Sequence, residues 1–159
     1  PMSLFILNIA FAAVFTTLLG SNNITVFLFG FAVGYIALWL SKPLYRDTRY
    51  FKKLSKTIKL SVYFFKELAV SNLRVLWDVI TPRHIHRPGI IGAPLAAQTD
   101  LEIFVVANLI SLTPGTLSVD LSEDRKTLYV HIMFLDNVET ARADIKNGLE
   151  RRVLEVMRT

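Results

Sequence analysis

From residue 2 to residue 40 the chain carries no Asp, Glu, Lys, Arg or His. Two apolar runs, 2–19 and 24–40, are parted only by Gly20, Ser21, Asn22 and Asn23. As helices at roughly 1.5 Å per residue they would span about 25–27 Å, close to a bilayer core of about 30 Å. The link is short, so the second run must return beside the first. The pattern predicts a membrane α-helical hairpin over 2–40. Paired helices of a soluble bundle would carry a polar stripe, and neither run has one. A cleaved leader would need a basic start and a small-residue cleavage site; the first run has neither, and a second run follows at once.

The charge lies just beyond. Between residues 41 and 59 stand Lys42, Arg46, Arg49, Lys52, Lys53, Lys56 and Lys59 against one acid, Asp47, a net +6 in a chain whose whole formal charge is +5. A basic segment beside a membrane span marks the cytoplasmic side, which also places the N-terminus inside. Contact with anionic lipid explains such a cluster next to a span better than nucleic-acid binding does. Residues 48–80 then contain no Pro or Gly, and Pro82 stops the run, so a long helix is expected. Its second half is apolar enough to suggest a third crossing. However, Lys66, Glu67, Arg74 and Asp78 interrupt it, and Arg83, His84, His86 and Arg87 follow. Charges at mid-membrane are costly. Residues 41–87 are therefore expected to form a basic segment and an amphipathic helix at the cytoplasmic interface or on a partner. A third crossing is the alternative, and it would move everything downstream outside.

Residues 88–159 read as a small cytoplasmic α/β domain. A short strand lies within 88–95. Thr99 and Glu102 match a capping box opening a helix to residue 112 that is apolar nearly all round. Such a helix needs cover on more than one side. Pro114 and Gly115 fit a type II turn. The strand "TLSVDL" alternates, with Leu117, Val119 and Leu121 expected on one face. A turn follows, then a strand with Leu128, Val130 and Ile132 on one face and Tyr129 and His131 on the other. Asp136 or Asn137 can cap a last helix whose Val138, Ala141, Ile145, Leu149, Val153 and Val156 form one apolar stripe. The order is β-α-β-β-α.

Little of this carries chemistry. There is no cysteine, which excludes thiolate metal sites and cysteine nucleophiles. The Pro114-Gly115 loop lacks the Lys-Ser or Lys-Thr of a phosphate-binding loop, so it reads as a structural turn. His84 and His86 lack the further ligands a metal would need. His131 reads as a polar or partner-contacting group. No cofactor, metal or enzymatic activity is expected. Ion conduction needs titratable groups within the membrane, and the two runs offer none; only Glu67, in the third helix, could contribute to an ion path. Gly30 and Gly34 form a Gly-x-x-x-Gly step, which lets another helix approach closely.

The stretch "NLISLTPGTLSVDLSEDRKTLYVHIM" (108–133), followed by "IKNGLERRVLEVMR" (145–158), resembles the E subunit of the Mrp-type (Mnh) multisubunit cation/proton antiporters, and "SKPLYRDTRYFKK" (41–53) is similar to that family's basic stretch after its hairpin. The resemblance implies a multi-pass protein of the bacterial cytoplasmic (inner) membrane, within a hetero-oligomer that exchanges Na+ for H+. It implies other antiporter subunits and membrane lipids as partners. The residues and the resemblance together predict an accessory subunit with a structural or assembly role. The alternatives are a direct contribution to an ion path through Glu67, or an autonomous membrane-anchored binding module.

Overall fold

The structure, a computed structural model, describes residues 4–44, 49–82 and 86–159. Arg46, Arg83 and His84 lie outside the described residues. The chain divides into two units between Ser55 and Lys56, a boundary that falls inside one helix.

In the first unit, α1 (Leu4–Leu18) and α2 (Ile24–Leu40) run antiparallel. Asn23 caps α2 by accepting the amide of Thr25 at 2.9 Å. The seam between the helices is narrow and holds Asn8, Ala12, Gly30, Gly34 and Leu38. Large apolar side chains such as Phe11, Val14, Leu28, Phe29 and Ile36 point away from it and are exposed. A short 3-10 turn, Lys42–Leu44, follows. The first residues of α3 (Arg49–Ile80) also belong to this unit. Among the described residues no helix is long and apolar enough to cross a membrane. α1 and α2 have 15 and 17 residues; α3 has 32 but is charged along its length.

In the second unit, β1 (Gly89–Pro94), α4 (Asp100–Leu112), β2 (Thr116–Leu121) and β3 (Thr127–Ile132) are followed by α5 (Val138–Ile145), a π turn (Lys146–Glu150) and α6 (Arg151–Met157). The sheet order is β1-β3-β2, with β3 antiparallel to both neighbours. α4 thus carries the chain from one edge strand to the other, leaving the central slot for β3, a split β-α-β unit. The core lies on one face of the sheet. There Ile91, Leu128 and Val130 meet Val106 and Ile110 of α4 and Leu149 and Val153 of the last helix. Leu60, Tyr63 and Phe64 of α3 pack against the same cluster.

Two local features depart from the sequence pattern. β2 bulges between Ser118 and Asp120, and an extra residue turns the side chains over. Ser118 opposes buried Val130, Leu121 opposes Leu128, and Leu117 pairs with His131 on the other face. Leu117 and Val119, expected inside with Leu121, are each 52% exposed. The final helix, expected as one stripe, is broken by the π turn, in which the amide of Arg151 reaches back to the carbonyl of Lys146. Its widened turn buries Gly148, Leu149 and Glu150 together.

Candidate functional site

Three places gather polar groups. The first is inside the hairpin unit. Asn8 is fully buried, and its Nδ2 donates to the Tyr50 hydroxyl at 2.9 Å. Burial raises the Tyr50 pKa above its usual range. Phe5, Tyr35 and Phe51 surround Tyr50 edge-on or tilted, with centroids 5.2–6.1 Å away. Gly30 and Gly34 receive α1 of the same chain. A Cβ on Gly30 would lie 2.9 Å from the Phe15 ring, and one on Gly34 would collide with Asn8 Oδ1.

Lys42, Arg49, Lys52, Lys53 and Lys59 are exposed. Lys56 is half-buried, and its Nζ donates to the Thr159 hydroxyl at 2.9 Å.

The second place lies between α3 and the sheet domain, within the second unit. α3 has two faces. One carries Tyr63, Glu67, Arg74 and Asp78 towards the domain. The Arg152 guanidinium stacks 3.7 Å from the centre of the Tyr63 ring, and Arg74 sits 5.1 Å from that of Phe134 and 3.6 Å from Asp136. Asp78, 3% exposed, accepts from the backbone of His86 and lies 2.9 Å from its Nδ1. A cavity of about 220 Å³ opens here, with Tyr63, Glu67, Arg74 and Asp144 on its polar side and Ile110 and Ile145 on its apolar side. Burial first, then the Glu67 charge, raises the Tyr63 pKa. The opposite face shows Ile58, Val62, Phe65, Leu73, Leu76 and Ile80, all exposed. Spacings of three, four and eight put them in one stripe.

Pro114 and Gly115 form the turn from α4 into β2. Gly115 takes φ +84°, and the amide of Thr116 reaches the carbonyl of Thr113 at 3.1 Å. Positive φ at the second central position is what a type II turn requires of glycine. The Thr113 hydroxyl donates to the Leu109 carbonyl at 3.0 Å, and the Thr116 hydroxyl to that of Ile110 at 2.6 Å. The corner is held by its own chain. His131 lies on the open sheet face, between Ile90 and Leu117 in register.

The third place was legible in the sequence only in part. Glu102 and Glu150 clamp the loop from β1 to α4. Glu150 Oε1 accepts the amides of Ala96 and Ala97 at 2.6 and 3.0 Å. Glu102 Oε2 accepts those of Gln98 and Thr99 at 2.8 and 3.3 Å, completing the capping box. Arg158 donates to both oxygens of Glu102, at 2.8 and 3.0 Å, and to the Ala96 carbonyl at 3.1 Å. The Arg158 hydrogen bond foremost, then the Gln98 amide, lowers the Glu102 pKa to about 2. Only the Thr99/Glu102 pair carried a sequence signal. Glu150 stands 54 and 53 residues from the two amides it binds, beyond any local pattern. Among the described residues no group of three or more His, Cys, Asp or Glu could hold a metal ion.

A family model described as a Na+/H+ ion antiporter subunit matches residues 8–156. Over 151 residues the chain is 38% identical to the E subunit of the Na+/H+ antiporter of Alkalihalophilus pseudofirmus, spanning 95% of this chain and 96% of that protein. The corresponding E subunit of Bacillus subtilis is 35% identical over 153 residues, 96% of this chain and 97% of that one. Among solved structures, a chain of the Mrp complex from a Dietzia species is similar at TM-score 0.51 and 24% identity, covering 65% of this chain and 96% of its own length. A chain of the membrane-bound sulfane sulfur reductase, an archaeal respiratory membrane complex, is similar at TM-score 0.57 and 21% identity, covering 94% and 96%. Those two share the fold.

Proposed function

Because this chain belongs to the family of Na+/H+ antiporter E subunits, we propose that it is an accessory subunit that holds a multisubunit cation/proton antiporter together and conducts no ions itself. It is a transporter component and not an enzyme, and its partners are other subunits of the antiporter. The observation that carries the accessory reading is the composition of α1 and α2: neither has an acidic, basic or imidazole side chain with which a proton or cation path could be built.

In this reading the hairpin sits in the bilayer. Along α1 and α2 the outward residues are apolar apart from Thr17 and Thr25, a surface that is costly in water and suits lipid. Helices of 15 and 17 residues are short for the hydrocarbon core, a mismatch that local thinning accommodates at modest cost. The aromatic group of Phe5, Tyr35, Tyr50 and Phe51, beside Arg49, Lys52 and Lys53, suits the membrane boundary. The exposed stripe of α3 lies along the cytoplasmic surface, and residues 88–159 form the cytoplasmic domain. Lys42, Arg49, Lys52, Lys53 and Lys59 meet anionic lipid there.

Deleting the chain is expected to abolish Na+/H+ exchange in membrane vesicles together with recovery of the intact complex. Full exchange without it sinks the reading. Glu67→Gln separates the alternative, since an accessory role leaves exchange unchanged and an ion path through Glu67 does not.

A further inference from the structure

α4 is apolar on two opposite sides. Ile103, Val106 and Ile110 are buried on the core side. On the other side Leu101, Phe104 and Leu112 are 62%, 64% and 61% exposed, with exposed Asn108 among them. Spacings of three, four and four put these four residues in one straight ridge. Asn108 Nδ2 donates to the Phe104 carbonyl at 2.7 Å, so the polar member of the ridge turns back on its own helix. The surroundings are unusual in charge. From residue 88 to residue 124 the chain has no Lys, Arg or His, while Asp100, Glu102, Asp120, Glu123 and Asp124 all lie there, in a chain of net +5. Among the described residues the cations that reach α4, Arg125 and Arg158, are bound to Asp100 and Glu102 of its first turn. Beyond that turn α4 carries no charge.

We propose that this ridge docks against the apolar, uncharged side of a helix from a neighbouring antiporter subunit. A straight ridge fits the groove of another helix. Anionic lipid does not suit the site, because a surface that meets it carries basic residues. α3 has Lys52, Lys53, Lys56, Lys59 and Lys66 along its length, whereas β1, α4 and β2 have no basic residue. A second copy does not suit it either. At roughly 1.5 Å per residue and about 10 Å of width the ridge offers about 170 Å². A stable independent dimer buries about 800 Å² per partner. A contact as small as the ridge holds between chains that other contacts already keep together, which is the state of subunits within one complex. The proposal rests on the chain's having subunit partners and not on its accessory role.

The test uses the whole complex, extracted in detergent and recovered through an affinity tag on this chain. Phe104→Gln and Leu112→Gln together keep the helix and remove the apolar ridge. Recovery of partner subunits is expected to fall by about tenfold or more, the scale of losing one anchoring side chain at an interface. The thermal melt of the full chain carrying both changes is expected to match that of the unchanged chain, because both side chains are already exposed. If the melt falls, Phe104→Cys decides in place of recovery. A water-soluble maleimide should then label it about tenfold more slowly in the intact complex than in the separate full chain, while Glu123→Cys reacts alike in both. Equal rates at Phe104→Cys overturn the proposal. So does full recovery of partners with an unchanged melt, the result expected of a ridge that lies on lipid. Loss of a differently tagged second copy, with the other subunits retained, overturns it in favour of pairing between copies. Subunit composition is read separately from transport, so failure here is distinguishable from failure of the accessory reading.

Discussion

Arg158 fastens the end of the chain to the start of α4. Its fork satisfies both oxygens of Glu102, while Glu102 holds the first amides of the helix. This ties a local capping box to a partner 56 residues away. The electrostatics give a pH dependence. Glu102 has a folded pKa of about 2, below the roughly 4.3 of an unfolded glutamate. A depressed carboxylate stabilises the fold above its unfolded pKa, and that contribution is lost as pH falls through the folded value. Melting temperature is therefore expected to fall between about pH 4 and pH 2, and Glu102→Gln should flatten that part of the profile. Parallel profiles for the two proteins would remove Glu102 as the cause. The capping box could be read from Thr99 and Glu102 alone because its geometry is local. Arg158 and Glu150 could not, because a charged residue on a helix reads as solvated until the fold sets it beside a partner.

α3 is the element whose two faces differ most. One packs Leu60, Tyr63 and Phe64 on the domain core. The other leaves Ile58, Val62, Phe65, Leu73, Leu76 and Ile80 uncovered, a stripe about 33 Å long at 1.5 Å per residue. The chain has no cysteine, so a single introduced one reports cleanly. In reconstituted membranes Leu73→Cys should resist a water-soluble maleimide while Glu123→Cys, in an exposed turn, reacts readily. Equal rates at the two positions would mean that the stripe faces water. The amphipathic character of α3 was legible in the sequence, as was a cap for α5 at Asp136 or Asn137, of which the fold uses Asn137. The bulge in β2 and the π turn were not. Both insert a residue into a regular period, and the sequence alternation of "TLSVDL" continues straight through the bulge.

At the scale of the whole molecule, the fold places an uncharged hairpin, an amphipathic helix and a split β-α-β-β-α domain in one chain. The proposed arrangement puts Thr159 in the cytoplasm. A protease-cleavable tag there should be cut in inside-out vesicles and protected in right-side-out ones. The reverse pattern would mean that α3 crosses the membrane, with residues 88–159 outside.

The sequence by itself determined the element order, the capping box, the Pro114-Gly115 corner and the family, because each rests on residues close in the chain or on a contiguous motif. It also determined that residues 2–40 could carry no charge-based chemistry. Tertiary structure alone decided that Gly30 and Gly34 receive α1, that Glu67 turns toward the domain, and that Leu117 faces outward. It alone placed Glu102, Glu150 and Arg158 around one loop. Those outcomes depend on which elements pack together and on single-residue shifts of register, and a local period carries no record of either.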